Sequence, residues 1–167
     1  MNFLESALIA TAREHGATVS GAESCTGGLI AKRLTDVAGS SAVFVGACVT
    51  YTNDVKQRML GVDQSILDTY TEVSHPCAAA MAEGARRAFQ TDAAYSTTGY
   101  AGPGGGTKDD PVGTVYVGIS TEQETKTYRL SLPETSTRDA VRTAAADFVL
   151  RKLCEIFPNS KEYDYEE

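Results

Sequence analysis

The sequence predicts an α/β domain, a three-layer α/β/α sandwich around a mixed, mainly parallel sheet. Three observations carry this. Helix-period and strand-like segments alternate through the first part of the chain, the order that puts helices on both faces of a sheet. The cleanly alternating run Val115, Val117, Ile119 is followed, after Thr121-Glu122-Gln123-Glu124, by a second strand-like segment, and so short a connection makes that pair antiparallel. Finally, 167 residues with 42% hydrophobic and 22% charged side chains suit one globular domain and exclude a disordered chain.

Each element has its own reason. Residues 3–14 carry Phe3, Leu4, Ala7, Leu8 and Ala12 on one helical stripe, and Gly16 stops it. Residues 18–22 suit a short strand. Residues 25–37 suit a helix with Leu29, Ile30 and Leu34 on one face. The stretch 42–51, AVFVGACVTY, is β-branched and uncharged, the pattern of a buried strand. Asn53 suits the cap of a helix that runs to Leu60 and ends at Gly61, and a short helix follows over 63–70. Ser74 caps an Ala-rich helix reaching Phe89, with Pro76 in its first turn. A strand over 93–98, a Gly/Pro loop over 99–113, the hairpin strands 114–120 and 125–132, and a helix over 137–156 complete the pattern. Residues 1–157 read as one domain, and 158–167 as an acidic, flexible tail. No internal repeat or linker interrupts them.

The net charge of −7, with no basic run longer than a pair such as Arg86-Arg87, argues against a nucleic-acid partner. The N-terminus lacks the features of a signal peptide, and no stretch approaches the length of a membrane span. Cys25, Cys48, Cys77 and Cys154 are scattered, with no zinc spacing. A cytoplasmic protein with neither metal nor cofactor is expected. His15 and His75 are the only histidines, and neither lies in a nucleophile-elbow motif. Walker A, His-Glu-x-x-His and Ser-x-x-Lys patterns are absent as well.

Four segments are candidates for chemistry. Ala22-Glu23-Ser24-Cys25-Thr26-Gly27-Gly28 sits at a strand-to-helix junction, where small residues let backbone N–H groups approach an anion; it equally suits a capped helix start. Gly39-Ser40-Ser41 precedes the 42–51 strand and also suits a plain turn. Thr50-Tyr51-Thr52-Asn53-Asp54-Val55-Lys56 lies at that strand's end, where α/β folds build sites, although Lys56 also suits a solvated surface. Residues 97–107 hold six glycines and prolines in eleven positions, a long loop costly to order and more often functional than decorative.

Together with Met59-Leu60-Gly61-Val62 and Pro111-Val112-Gly113-Thr114-Val115, these segments resemble, in order and spacing, the C-terminal domain of competence/damage-inducible CinA proteins. The resemblance covers roughly residues 5–155. Lacking an N-terminal molybdopterin-binding-like domain, the chain is similar to the stand-alone, PncC-like form. This implies an amidohydrolase that converts nicotinamide mononucleotide and water to nicotinate mononucleotide and ammonia in pyridine nucleotide recycling, without a metal, as a homodimer. Amide hydrolysis needs a nucleophile, a base and oxyanion donors. Without a suitable histidine, a Ser–Lys pair is the natural substitute, its lysine pKa lowered by burial. The resemblance puts the catalytic set at Ser41 and Lys56 with Tyr51 beside them. It puts substrate binding at Ser24, Thr26, Gly27, Thr98, Gly102, Gly104 and Gly105, with Arg138 on the phosphate. Ser24 is the alternative nucleophile. Two departures stand out: Ser136-Thr137-Arg138 where Gly-Asp-Arg is common, and Thr71-Glu72-Val73-Ser74 where Gly-Ala-Val-Ser is common. The first motivates the alternative of a catalytically inactive nucleotide-binding or interaction module of the same family.

Overall fold

The central strand β1, Val19–Glu23, is buried at every position, so helices must cover both of its faces. The computed structural model, which describes residues 3–158, supplies them. In chain order the elements are α1 (Phe3–Glu14), β1, α2 (Leu29–Thr35), β2 (Phe44–Val49), α3 (Asn53–Leu60), α4 (Gln64–Tyr70) and α5 (His75–Phe89). Then come β3 (Ala93–Gly99), β4 (Thr114–Thr121), β5 (Thr125–Ser131) and α6 (Arg138–Ile156). The five strands lie in the order β2-β1-β3-β4-β5. β1 is parallel to β2 and β3, whereas β3–β4 and β4–β5 are antiparallel. The sheet is therefore mixed, with the two kinds of pairing equal in number.

Side-chain parity sorts the core into two layers. Val19, Tyr95 and Val117 face α1, α2 and α6, where Leu8, Ile30, Leu34, Val141, Val149 and Leu153 are buried. Ala22 and Ala94 face the opposite way, onto Leu60, Leu67, Cys77, Met81 and Ala85 of α3–α5. Gly21 has no Cβ because the Tyr95 ring lies across it; a methyl group there would sit 2.1 Å from that ring. The phenol thereby reaches along β1 to the Glu23 side chain.

Helix ends follow the caps read from the sequence. Gly61 takes φ 68 as the C-cap of α3 and the Ser74 side chain caps α5, as read; the structure adds the side chains of Asp63 and Thr137 as caps of α4 and α6. α3 is an exception: Thr52 is its N-cap, without a side-chain bond, and Asn53 is its first residue. The helix expected over 25–37 is shorter, because Gly27 (φ 58) and Gly28 (φ 96) hold the chain in a turn until Leu29.

The buried strand expected over 42–51 is corrected in length and in place. Ser40–Ala42 form a 3-10 turn, and β2 occupies the sheet edge, with Val45 and Val49 51% and 50% exposed. An uncharged β-branched run is what a central strand also shows, so the sequence pattern does not separate centre from edge. No helix among the described residues is long and apolar enough to cross a membrane. The tail expected over 158–167 lies, Pro158 apart, outside the described residues.

Candidate active site

β1, β2 and β3 all point their carboxyl ends the same way, and the connection after β1 crosses to the opposite face of the sheet from the connection after β2. A crevice opens where connections diverge like this. Here it is a cavity of about 250 Å³. Its walls come from the turn after β1 (Ser24, Cys25), the β2–α3 connection (Tyr51), α3 (Asn53, Lys56) and the turn before α5 (Glu72, Val73). The loop after β3 (Thr98 to Gly102, and Gly104) and Arg138 at the head of α6 complete it.

The turn after β1 is built on Glu23. This fully buried carboxylate accepts five hydrogen bonds. Thr26 Oγ1 (2.6 Å), Gly28 N (2.9 Å) and Ile30 N (3.3 Å) donate to Oε2. Ala31 N (2.8 Å) and the Tyr95 hydroxyl (3.0 Å) donate to Oε1. An anion against the free N–H groups of α2 offsets their unmet hydrogen bonding and suits the helix dipole. Thr26 also shares a 2.7 Å bond with Thr97 Oγ1, and Arg142 donates to the Thr26 carbonyl. The consequence is a fixed position for Ser24, whose N–H donates to Thr97 O.

Lys56 meets Ser24 across the cavity floor. Its Nζ donates to Ser24 Oγ at 3.1 Å and to the Thr50 carbonyl at 2.9 Å. Lys56 is only 1% exposed and Ser24 9%. Burial pushes the Lys56 pKa down, because an ammonium loses hydration there; the nearby Cys77, Glu72 and Cys25 oppose the shift. The Cys25 thiol is pushed up to about 12 by burial, which keeps it protonated and a poor nucleophile beside Ser24.

At the opposite side Arg138 Nη1 donates to Gly102 O at 2.7 Å, and Nη2 to the Tyr51 hydroxyl at 2.9 Å. A guanidinium has five N–H donors, so others remain for a ligand. Thr98 Oγ1 donates to Glu72 O at 2.6 Å. The Gly-rich loop is tied at its base: Tyr100 N bonds Thr114 O and Gly113 N bonds Tyr100 O. Asp110 accepts from Tyr116 and Arg129, and Arg129 also reaches Asp109 O.

Of the residues named from the sequence, Ser24, Tyr51, Lys56, Thr98, Gly102, Gly104 and Arg138 line one cavity. Ser41 does not join them within this chain. It is exposed in the 3-10 turn before β2, and the hydroxyl facing Lys56 is that of Ser24. The Ser41–Lys56 pairing is thus replaced by Ser24–Lys56, because α3 folds back over the end of β1 rather than toward the start of β2. Thr26, Gly27 and Gly105 also lie off the cavity wall: Thr26 is spent on Glu23 and Thr97, Gly27 is exposed in the turn, and Gly105 faces the Tyr100 ring. Asn53 and Tyr100, in two of the segments named from the sequence but given no role there, also line the cavity, as does Glu72, which lay outside all four. Glu72 was visible only as a departure from the family pattern. No group of three or more His, Cys, Asp or Glu side chains among the described residues is arranged to hold a metal ion.

Residues 1–157 match the model of the CinA C-terminal domain. The chain is 47% identical over 158 residues to a CinA-like protein of Geobacter sulfurreducens, covering 91% of this chain and 37% of the relative. It is 50% identical over 147 residues to a CinA-like protein of Myxococcus xanthus, covering 87% and 34%. The chain therefore spans about a third of the length of these relatives. Among solved structures, competence/damage inducible protein CihA from Agrobacterium tumefaciens superposes with a TM-score of 0.90 at 39% identity, covering 93% of this chain and 94% of that one. A competence damage-inducible protein from Klebsiella pneumoniae gives 0.88 at 29% identity, covering 92% and 94%. By its fold, its cavity-lining motifs and these matches, the chain belongs to the CinA C-terminal domain family.

Proposed function

We propose that the cavity hydrolyses the carboxamide of nicotinamide mononucleotide to nicotinate mononucleotide and ammonia, with Ser24 as nucleophile and Lys56 as base. The observation that carries this is the 3.1 Å contact between a buried amine and a hydroxyl on the floor of a cavity whose far side holds Arg138. In its neutral form Lys56 gives a hydrogen to Thr50 O and turns its lone pair to the Ser24 hydroxyl. Ser24 Oγ attacks the amide carbon as its proton passes to Lys56 Nζ. Lys56 then returns that proton to the departing nitrogen, and ammonia leaves an ester on Ser24. Water, deprotonated by the same amine, cleaves the ester and restores the hydroxyl. Each step uses one base in both directions, as general acid–base catalysis allows. Arg138 suits the phosphate, where a guanidinium offers paired donors.

The chemistry uses no metal or cofactor, and the four cysteines are free, as in a reducing cytoplasm. A homodimer is part of the reading. β2 leaves Val45 and Val49 half exposed on an unpaired edge, and Tyr51, 58% exposed, continues from it into the site. A second copy is also the remaining route by which Ser41 reaches a cavity.

The test is ammonia release. Pure protein should release ammonia from nicotinamide mononucleotide at the same rate with and without a metal chelator, and should be slower on the riboside. Saturable binding of the mononucleotide without turnover would replace this reading by that of a binding module.

A further inference from the structure

Glu72 is the one carboxylate that lines the cavity. Its backbone is held firmly: the carbonyl accepts from Thr98 Oγ1 at 2.6 Å, the next residue Val73 is buried, and Ser74 Oγ ties back to Thr71 O. Its side chain is half-buried and makes no hydrogen bond or ion pair with any described residue. It acts on the cavity through its field, which reaches Lys56, Cys77 and Tyr100. A carboxylate on a cavity wall, close enough for its field to reach Lys56 and Tyr100, attracts a cation placed beside it.

Lys56 does not serve as that cation during the reaction, since a base must be neutral when it takes the serine proton. At that moment the cavity carries a negative charge at Glu72 and a positive one at Arg138. A ligand complementary to both is a zwitterion, with a cationic amide-bearing ring beside Glu72 and an anion beside Arg138. We propose that Glu72 is the specificity-determining residue of this site, selecting amides whose ring carries a positive charge over neutral aromatic amides. The proposal rests on the hydrolase reading for its substrate class, but the charge preference is measurable without turnover.

The probes are 1-methylnicotinamide, whose ring is a cation, and nicotinamide, whose ring is neutral, titrated by NMR into the wild-type protein and into Glu72→Gln. The wild type should bind the cation more tightly by about five- to tenfold, the scale of one partly solvated charge contact. Glu72→Gln should bring the two affinities within about twofold, and Glu72→Asp should keep most of the preference. A merely structural role would weaken both probes together and lower the melting temperature, which is read on the same samples. An unchanged preference in Glu72→Gln, or no binding of the cation by the wild type, overturns the proposal. Ammonia release from nicotinamide mononucleotide is assayed in parallel. Its absence, with the charge preference intact, defeats the hydrolase reading and leaves the role of Glu72 standing.

Discussion

Replacing Glu23 by glutamine should destabilise the domain by about 2–4 kcal/mol, although the two side chains have nearly the same shape. The carboxylate presents two acceptors to five donors. An amide keeps one acceptor and turns an NH2 toward the remaining donors. In the less costly orientation that NH2 replaces Oε1, facing Ala31 N and the Tyr95 hydroxyl. The phenol can rotate and accept, but the Ala31 N–H cannot, and one buried unmet donor costs about 1–3 kcal/mol. The bonds kept at Oε2 lose their charge assistance, at roughly 1 kcal/mol or less each and not additively. Burying a neutral amide in place of a carboxylate offsets part of the loss. Tyr95→Phe is the control, because it removes one donor of five and should cost only about 0.5–1.5 kcal/mol. Urea unfolding followed by far-UV circular dichroism measures both, provided the m-values agree. A Glu23→Gln protein within about 0.5 kcal/mol of the wild type would refute the role given to this carboxylate.

Four other outcomes are expected. Ser24→Ala should lower kcat by about 10³-fold or more, with Lys56→Ala adding little on top, because members of one catalytic unit are not additive. Ser41→Ala should keep most of its activity, and the reverse ranking of the two serines would restore Ser41 as nucleophile. Arg138→Ala should raise KM for the mononucleotide about tenfold, the scale of a charge-assisted bond, and leave the riboside nearly unaffected; equal losses on both would contradict a phosphate contact. Lys56→Met should change how stability depends on pH. The folded-state pKa of Lys56 lies below its ordinary 10.5, so between the two values the unfolded chain binds more protons and wild-type stability rises with pH. The mutant lacks that rise, so its stability relative to wild type should fall as pH approaches 10.5, and a flat difference would show that the amine is not desolvated.

The sequence made the helices legible where a cap and an apolar stripe coincide. Ser74 marks its helix start, and Gly61 its helix end, by local chemistry alone. β4 was legible because Val115, Val117 and Ile119 alternate. β2 was misplaced because its exposed valines have the same side chains as buried ones; only its neighbours in space make it an edge. The site was half legible for a related reason. Ser24, Lys56 and Arg138 stand in recognisable motifs, yet which hydroxyl meets the amine depends on how α3 packs over β1, across 32 residues of chain. Glu23 was read as part of a motif and not as the organiser of its turn, since its five partners come from the turn after β1, from α2 and from β3 together.

Arg138 is held to the Gly-rich loop through Gly102 and to the start of α3 through Tyr51, so the two rims of the cavity meet at the first residue of the last helix. A ligand spanning Arg138 and Ser24 acts as a temporary cross-link between chain segments far apart in sequence. Binding therefore stabilises the native state by mass action, and most of all those openings that detach the head of α6. Amide protons in the first turns of α6 should exchange more slowly with ligand present, while those at the far end of the same helix, toward Ile156, keep their rates. Occupancy of the pocket is then readable in the dynamics of a helix that contributes a single side chain to it.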